Sequence, residues 1–324
     1  MIQDLYKAGP ILVTGGSGFI GTHLIEALSP QGVAIVNLDL RPPPLAAHAH
    51  WWTDCDLLDK ARLAEIVAAR RPTVVFNLAA NASLKEGPEA MRVNTEGLAN
   101  LCEAVAALDA PPLVIHASTQ LVAGPSVGRF SPLDYKPYTP YGESKARSEV
   151  ILRATRGFPW AIVRPTTVWG PHHPTFGRTI WRYIRLGCYL HPNDVKVVRS
   201  YGYVGNVVFQ LMRLLELPQA QITNQTFYLG DAPVDSEVWL DTFSHALRGR
   251  PVRRVPISVI RLTAISGELL GKLGGPSPIN LGRLHRMTSD YPVAIEPTFQ
   301  LLGEGTISLA EGVEQTVRWL RAAQ

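Results

Sequence analysis

The sequence predicts an α/β fold: a doubly wound parallel sheet followed by a smaller, mostly helical C-terminal region. Three observations carry this. Short apolar runs alternate with helical patterns of ten or more residues through the first half. A glycine-rich turn follows the first run directly. The regular alternation stops after Pro165. Strands separated by helices pair in parallel, and right-handed crossovers then cover both faces of the sheet.

Element by element, Ile11–Thr14 is an apolar run, and Phe19–Leu28 has helical spacing. Val33–Leu38 is the second run, and Lys60–Arg70 is helical with Leu63, Ile66 and Val67 on one face. The segment 41–50, with His48 and His50, reads as a loop bearing solvent-exposed histidines. Thr73–Ala80 is the third run and Glu89–Leu108 a long helix. Leu113–Ala117, the helix Tyr141–Thr155 and the strand Trp160–Arg164 complete the regular part. Thr166–Pro174 is rich in Pro and Gly and reads as an irregular loop. Arg178–Leu186, Val204–Leu217 and Asp235–Leu247 look helical, and Gln225–Leu229 suits a late strand returning to the sheet. Pro251–Pro278 reads as a helical stretch, its apolar part Val255–Leu273 better suited to a core helix than to a pocket wall. Ser308 and Glu311 have the spacing of a capping box for the closing helix.

With 324 residues, 46% hydrophobic and 18% charged, the chain has ample material for a core and is not a disordered one. No apolar stretch is long enough for a membrane span, and the first residues lack a secretory pattern. Cys55, Cys102 and Cys188 suit neither a disulfide framework nor a zinc site, so a reducing, cytoplasmic setting and no metal are expected. The net charge of +4 is spread along the chain, which argues for a small anionic ligand over nucleic acid.

Two motifs carry the chemistry. Thr14-Gly15-Gly16-Ser17-Gly18-Phe19-Ile20-Gly21 joins the first strand to the first helix. Gly15 would allow a tight turn, Gly18 the approach of a pyrophosphate, and Gly21 close packing of helix on strand. Free N–H groups at the helix start complement the phosphate charge. Asp39 ends the second strand and is placed to accept from a ribose 2′-hydroxyl. It favours NAD, whereas Arg41 could pair with a 2′-phosphate and leaves NADP open. Residues 1–165 are thus expected to hold the dinucleotide and 166–324 mainly the substrate, with 201–230 returning to the sheet. The second motif is Tyr141-Gly142-Glu143-Ser144-Lys145. A spacing of four puts Tyr141 and Lys145 on one helix face, where an ammonium would lower the phenol's pKa and make it a general acid/base.

Together with Asn77-Leu78-Ala79-Ala80 and Asn94, these motifs resemble the extended short-chain dehydrogenase/reductase family, and within it the NAD-dependent sugar-nucleotide epimerases and dehydratases. The resemblance spans nearly the whole chain and implies a Rossmann-type sheet. It implies cofactor contacts for Phe19, Ile20, Asp56, Leu57, Leu78, Ala79, Ala80, Asn94, Ser118, Tyr141, Lys145 and Pro165. Thr119 matches the catalytic hydroxyl, beside Tyr141 and Lys145. Arg164-Pro165 and Trp169-Gly170-Pro171 match the stretch running under the nicotinamide. Gln120, Thr167 and Arg199 fall at substrate positions, Arg199 as the arginine on the nucleotide-sugar diphosphate. Gln120 and Leu121 stand where 4,6-dehydratases carry Asp-Glu, so dehydration is not expected. Leu121 also replaces the cysteine of the GDP-fucose-forming epimerase-reductases. Asn77 replaces the usual histidine and Ala123 a frequent tyrosine.

The implied activity is hydride transfer at a secondary alcohol or ketone of a nucleotide-sugar, as 4-epimerase or 4-ketoreductase, in a homodimer packed through Glu89–Leu108 and Tyr141–Thr155. The alternatives are a hydroxysteroid or other alcohol dehydrogenase of the same family and a non-catalytic dinucleotide sensor.

Overall fold

The computed structural model describes residues 9–84, 86–124, 131–193, 195–272 and 281–322. Seven strands build one parallel sheet: β1 Ile11–Thr14, β2 Ile35–Asp39, β3 Trp52–Asp54, β4 Val74–Asn77, β5 Leu113–Ala117, β6 Trp160–Pro165 and β7 Gln225–Leu229. Their order is β7-β6-β5-β4-β1-β2-β3. β1 pairs with both β2 and β4, Ile11 lying opposite Ile35 and Val74. The order reverses there, so a crevice opens beyond the carboxyl ends of β1 and β4.

Strand residues alternate between two cores, as a period of two requires. Ile11, Val13, Val74, Phe76 and Ile115 pack with Leu24 and Ile25 of α1 (Phe19–Leu28) and with Val204, Val207 and Leu211 of the helix Val204–Glu216. Leu12, Val75, Val114 and Ile162 face the other way, onto Leu63 and Val67 of α2 (Lys60–Arg70) and Leu98 and Leu101 of α3 (Leu98–Ala106). The helix starts are locally encoded. Asp59 accepts from the Arg62 amide at 3.0 Å to cap α2. Thr139 accepts from the Gly142 amide at 3.0 Å to cap α4 (Pro140–Ala154), with Pro140 in the first turn. Ser308 and Glu311 form the expected box ahead of the helix Leu309–Ala322: the Ser308 amide donates to Glu311 at 2.8 Å, and the Glu311 amide to the Ser308 hydroxyl at 3.3 Å.

Five expectations need correction. Glu89–Leu108 is not one helix. It runs as a 3₁₀ turn at Pro88–Met91, a π turn at Val93–Gly97 and then α3. The π turn carries Asn94, whose amide is tied to Asn81 and Ser144, and that pull sets the break. The 41–50 segment enters a 3₁₀ turn at Ala46–Trp51. His48 there is only 4% exposed, because its ring tucks beside Trp51, so the solvent-exposed reading suits His50 alone. Thr166–Pro174 includes a short strand, Thr167–Trp169, parallel to Tyr201–Tyr203. Pro251–Pro278 begins with a strand, Arg253–Val255, pairing with Leu190–Pro192, before the helix Ile257–Lys272; residues 273–280 lie outside the described ones. That helix is not a core helix. Ile260 and Ala264 pack on Leu284, while Ile257, Val259, Leu262 and Ile265 are exposed. No helix among the described residues is long and apolar enough to cross a membrane.

Candidate active site

The turn after β1 is shaped by backbone proximity. Gly15 has φ +70°, and a Cβ on it would come within 2.6 Å of the Ala79 nitrogen. The chain therefore crosses the end of β4 at a distance that only glycine allows. The Leu78 and Ala79 amides donate to the carbonyl and hydroxyl of Thr14 at 3.1 and 3.2 Å, while Ala80 is exposed. Gly18 caps α1 with its amide on the Gly15 carbonyl at 3.0 Å, and Gly21 is buried in the first turn of α1. Phe19 and Ile20 are half-buried, and Phe19 meets His23 and His173 edge-on.

Asp39 reaches over this turn. One carboxylate oxygen accepts from the Ser17 amide at 3.1 Å and the other from the Arg41 amide at 3.0 Å. The Arg41 residue itself is exposed. Asp56 accepts from the Leu58 amide at 2.9 Å, and Leu57 is buried with its carbonyl on Asn100. A glycine cradle that a Cβ would fill, a helix N-terminus and a carboxylate at the end of β2 fit the pyrophosphate and adenosine ribose of a dinucleotide. The negative Asp39 suits a free 2′-hydroxyl better than a 2′-phosphate, so these residues fit NAD.

The proton-transfer candidates converge on the end of β5. Ser118 and Thr119 are 4% and 8% exposed. The Ser118 hydroxyl is buried and takes no partner among the described residues, and Thr119 accepts from the Leu121 amide at 3.3 Å. α4 packs against this strand end. A Cβ on Gly142 would sit 2.8 Å from the Leu121 carbonyl, so the glycine beside Tyr141 lets the helix close in on β5. Asn94 holds the same helix from the far side, donating to the Ser144 hydroxyl at 2.8 Å and to the Asn81 carbonyl at 3.0 Å. Pro165 ends β6 beside Leu229, buried.

Burial pushes the Tyr141 phenol up to about 12. Burial also brings the Lys145 ammonium down to about 7, with Glu149 opposing the shift. The expectation that Lys145 lowers the phenol's pKa is thus not met in the protein alone. Loss of water is the only cause acting on the phenol, and Lys145 exerts no opposing pull on it. Lys145 is fully buried, and its Nζ lies 3.4 Å from His116 Nε2.

One turn along α4, Glu149 is also fully buried but is paired twice. Its oxygens take Arg164 Nε at 2.8 Å and Nη2 at 2.7 Å. Tyr135 donates to it at 3.0 Å, and Arg153 lies at 3.5 Å while also holding Thr226 of β7. Arg164 therefore does not present its guanidinium to the crevice. It bolts α4 to β6, and so fixes the register of Tyr141 and Lys145 against the sheet.

At the positions expected to meet substrate, Gln120 Nε2 donates to Thr167 Oγ1 at 3.0 Å. Tyr291 donates its hydroxyl to the Gln120 carbonyl at 3.0 Å, and the Arg199 guanidinium lies over its ring, 5.8 Å from the centroid. Gln120, Thr167 and Arg199 are thereby brought together around Tyr291, which sequence reasoning missed because no local motif marks it. Trp169 is buried among Tyr203, Trp239 and Phe243 and serves the core. Two further residues were missed with a signal available. His116 is a polar residue inside an apolar run, and Glu149 follows Lys145 by one turn. No group of three metal-ligating side chains occurs among the described residues.

A doubly wound sheet with a glycine turn at its switch point and a Tyr–Lys helix beside β5 defines an enzyme fold of the short-chain dehydrogenase/reductase type. The chain belongs to the NAD dependent epimerase/dehydratase family, which residues 11–230 match. It is 28% identical to UDP-glucose 4-epimerase of Vibrio cholerae, covering 95% of this chain and 94% of that one. With UDP-glucose 4-epimerase of Mycolicibacterium smegmatis it shares 27% identity, over 96% and 98%. The structure of Thermus thermophilus UDP-glucose 4-epimerase in complex with NAD superposes with a TM-score of 0.74 at 24% identity, over 97% and 100% of the two chains. Other relatives are named 3-beta-hydroxysteroid dehydrogenase, dTDP-glucose 4,6-dehydratase and UDP-N-acetyl-alpha-D-glucosaminuronate decarboxylase, so family membership does not choose the reaction.

Proposed function

We propose that this chain oxidises and re-reduces a secondary alcohol of a nucleotide-linked sugar, as a 4-epimerase or 4-ketoreductase. The observation that carries the reading is the packing of Gly142 on Leu121, which brings the start of the Tyr141 helix to the segment that follows Thr119. Residues 1–165 would hold the dinucleotide and 166–324 mainly the substrate. NAD supplies a hydride acceptor when bound. Tyr141 would take the sugar hydroxyl's proton and return it, Thr119 would orient the oxygen, and Lys145 would hold the ribose. Arg199 would pair with the diphosphate, its guanidinium suited to two parallel bonds. Leu121 can neither donate nor accept a proton, which argues against dehydration.

The sterol reading loses its main sequence support, since the apolar residues of Ile257–Lys272 that were candidates for a pocket wall point outward in good part. Thermal shift with UDP-, GDP- and dTDP-sugars against a sterol panel separates the two. Stabilisation by sterols alone overturns the sugar reading. Tyr141→Phe is expected to lose roughly 10²–10⁴-fold in turnover with NAD binding kept. Wild-type turnover in that variant refutes the proton-transfer role.

A further inference from the structure

A directional chain of hydrogen bonds runs through the sheet beneath the site. The Ala79 amide donates to Thr14 Oγ1 at 3.2 Å, which donates to Asn77 Oδ1 at 2.6 Å. That fixes the amide of Asn77, so its Nδ2 donates to His116 Nδ1 at 2.9 Å. With Nδ1 accepting, the ring hydrogen of a neutral His116 must sit on Nε2. Ser148 Oγ lies 2.9 Å from Nε2 and itself donates to the Lys145 carbonyl at 2.7 Å, so it accepts from the ring. The sense of the chain rests on its two hydroxyls: Thr14 donates to Asn77 Oδ1 at one end and Ser148 donates to the Lys145 carbonyl at the other. Asn77 and His116 are buried at 2% and 1% exposure.

Lys145 Nζ meets this chain at 3.4 Å from Nε2. A ring nitrogen that carries hydrogen offers no lone pair to an ammonium. We propose that His116 is a positioning residue for Lys145: held by Asn77 as the Nε2–H tautomer, it denies the ammonium an acceptor on the sheet side and leaves the dinucleotide ribose to supply one. The inference rests on the reading above that Lys145 faces that ribose. Burial keeps His116 neutral, its pKa well below the ordinary histidine value, with Lys145 adding to the shift. The groups that bear on Lys145 are His116 from β5 and, on its own helix, Glu149, whose negative charge favours the ammonium. Lys145 near pH 7 is thus poised between amine and ammonium, and a ligand that accepts from it pulls a proton in.

The sign follows from linkage. The bound form has the higher lysine pKa, so NAD affinity falls as pH rises above 7, by at most about tenfold per unit, with uptake of up to about one proton. Calorimetry of NAD binding in buffers of different ionisation enthalpy reads both quantities without any substrate. Asn77→Asp reverses the chain, because a carboxylate must accept from His116 Nδ1–H and so turns Nε2 into an acceptor for Lys145. That variant is expected to flatten the pH dependence between 7 and 9. In the double variant Asn77→Asp, His116→Phe the added charge remains and the ring nitrogens are gone, so most of the flattening should vanish. Nitrogen-15 NMR of the free protein, with the His116 signals assigned by their absence in His116→Phe, should show hydrogen on Nε2 in the wild type and on Nδ1 in Asn77→Asp. Hydrogen on Nδ1 in the wild type, or equal flattening with and without His116, overturns the proposal. If a variant does not fold, the wild-type tautomer decides alone. Full turnover in Tyr141→Phe would sink the functional reading while leaving this tautomer measurement standing.

Discussion

Lys145 and Glu149 lie one turn apart on α4, both with no exposed surface, yet the fold treats them in opposite ways. Glu149 receives a bidentate guanidinium and a phenol. Lys145 receives a neutral ring nitrogen at 3.4 Å and no carboxylate in direct contact among the described residues. A buried charge that is fully paired belongs to the scaffold, while one left to lose its charge marks where a ligand or a proton is handled. The same helix thus anchors itself at one turn and keeps a chemically poised group on the turn before it.

The contrast is broken most forcefully from the scaffold side. Glu149→Ala strands the buried Arg164 charge and should cost about 3–5 kcal/mol in urea unfolding. A cost under about 1 kcal/mol would mean that the pair is not the anchor described here. Lys145→Met should act in the other direction. In the absence of cofactor it removes a group whose folded pKa, about 7, lies below its unfolded value. Between those values the unfolded chain binds more protons, so wild-type stability rises with pH there. The advantage of Lys145→Met is therefore largest at or below pH 7 and shrinks above it, by at most about 1.4 kcal/mol per unit. A constant advantage from pH 7 to 9 would show that the lysine is not depressed, and turnover should be lost at every pH. Tyr135→Phe deletes one bond to Glu149 and should cost roughly 1 kcal/mol with the ion pair intact. On the crevice side, Tyr291→Phe should change stability by a similar amount of about 1 kcal/mol or less. Its distinguishing effect is on KM for the nucleotide-sugar, which should rise while kcat holds, because the hydroxyl that positions Gln120 is lost while the ring under Arg199 stays. A fall in kcat alone would argue against a substrate-binding role for Tyr291.

Much of this was legible beforehand, and unevenly so. Phe19–Leu28, Lys60–Arg70 and Leu113–Ala117 were readable to the residue, since a period of 3.6 or an unbroken apolar run is a local property. The glycine turn, Asp39 and the Tyr–Lys spacing were readable because each is a short stretch with one steric or chemical demand. The helix expected over Glu89–Leu108 broke because Asn94 answers to Asn81 and Ser144, one of them fifty positions away. His48 went inside because Trp51 folds over it. The apolar helix near Leu262 stayed outside although its composition suits a core, since burial depends on which neighbours arrive and not on hydropathy.

By itself, the sequence determined the alternation of strands and helices, the glycine turn after the first strand and the placement of Tyr141 and Lys145 four apart on one helix, because local periodicity and backbone sterics specify them. Tertiary structure alone decided which buried groups keep their charge. Asn77 and His116 come from different strands, and Arg164 reaches Glu149 from the next one. Proton positions and ion pairs are settled by such meetings in space, which no local pattern records.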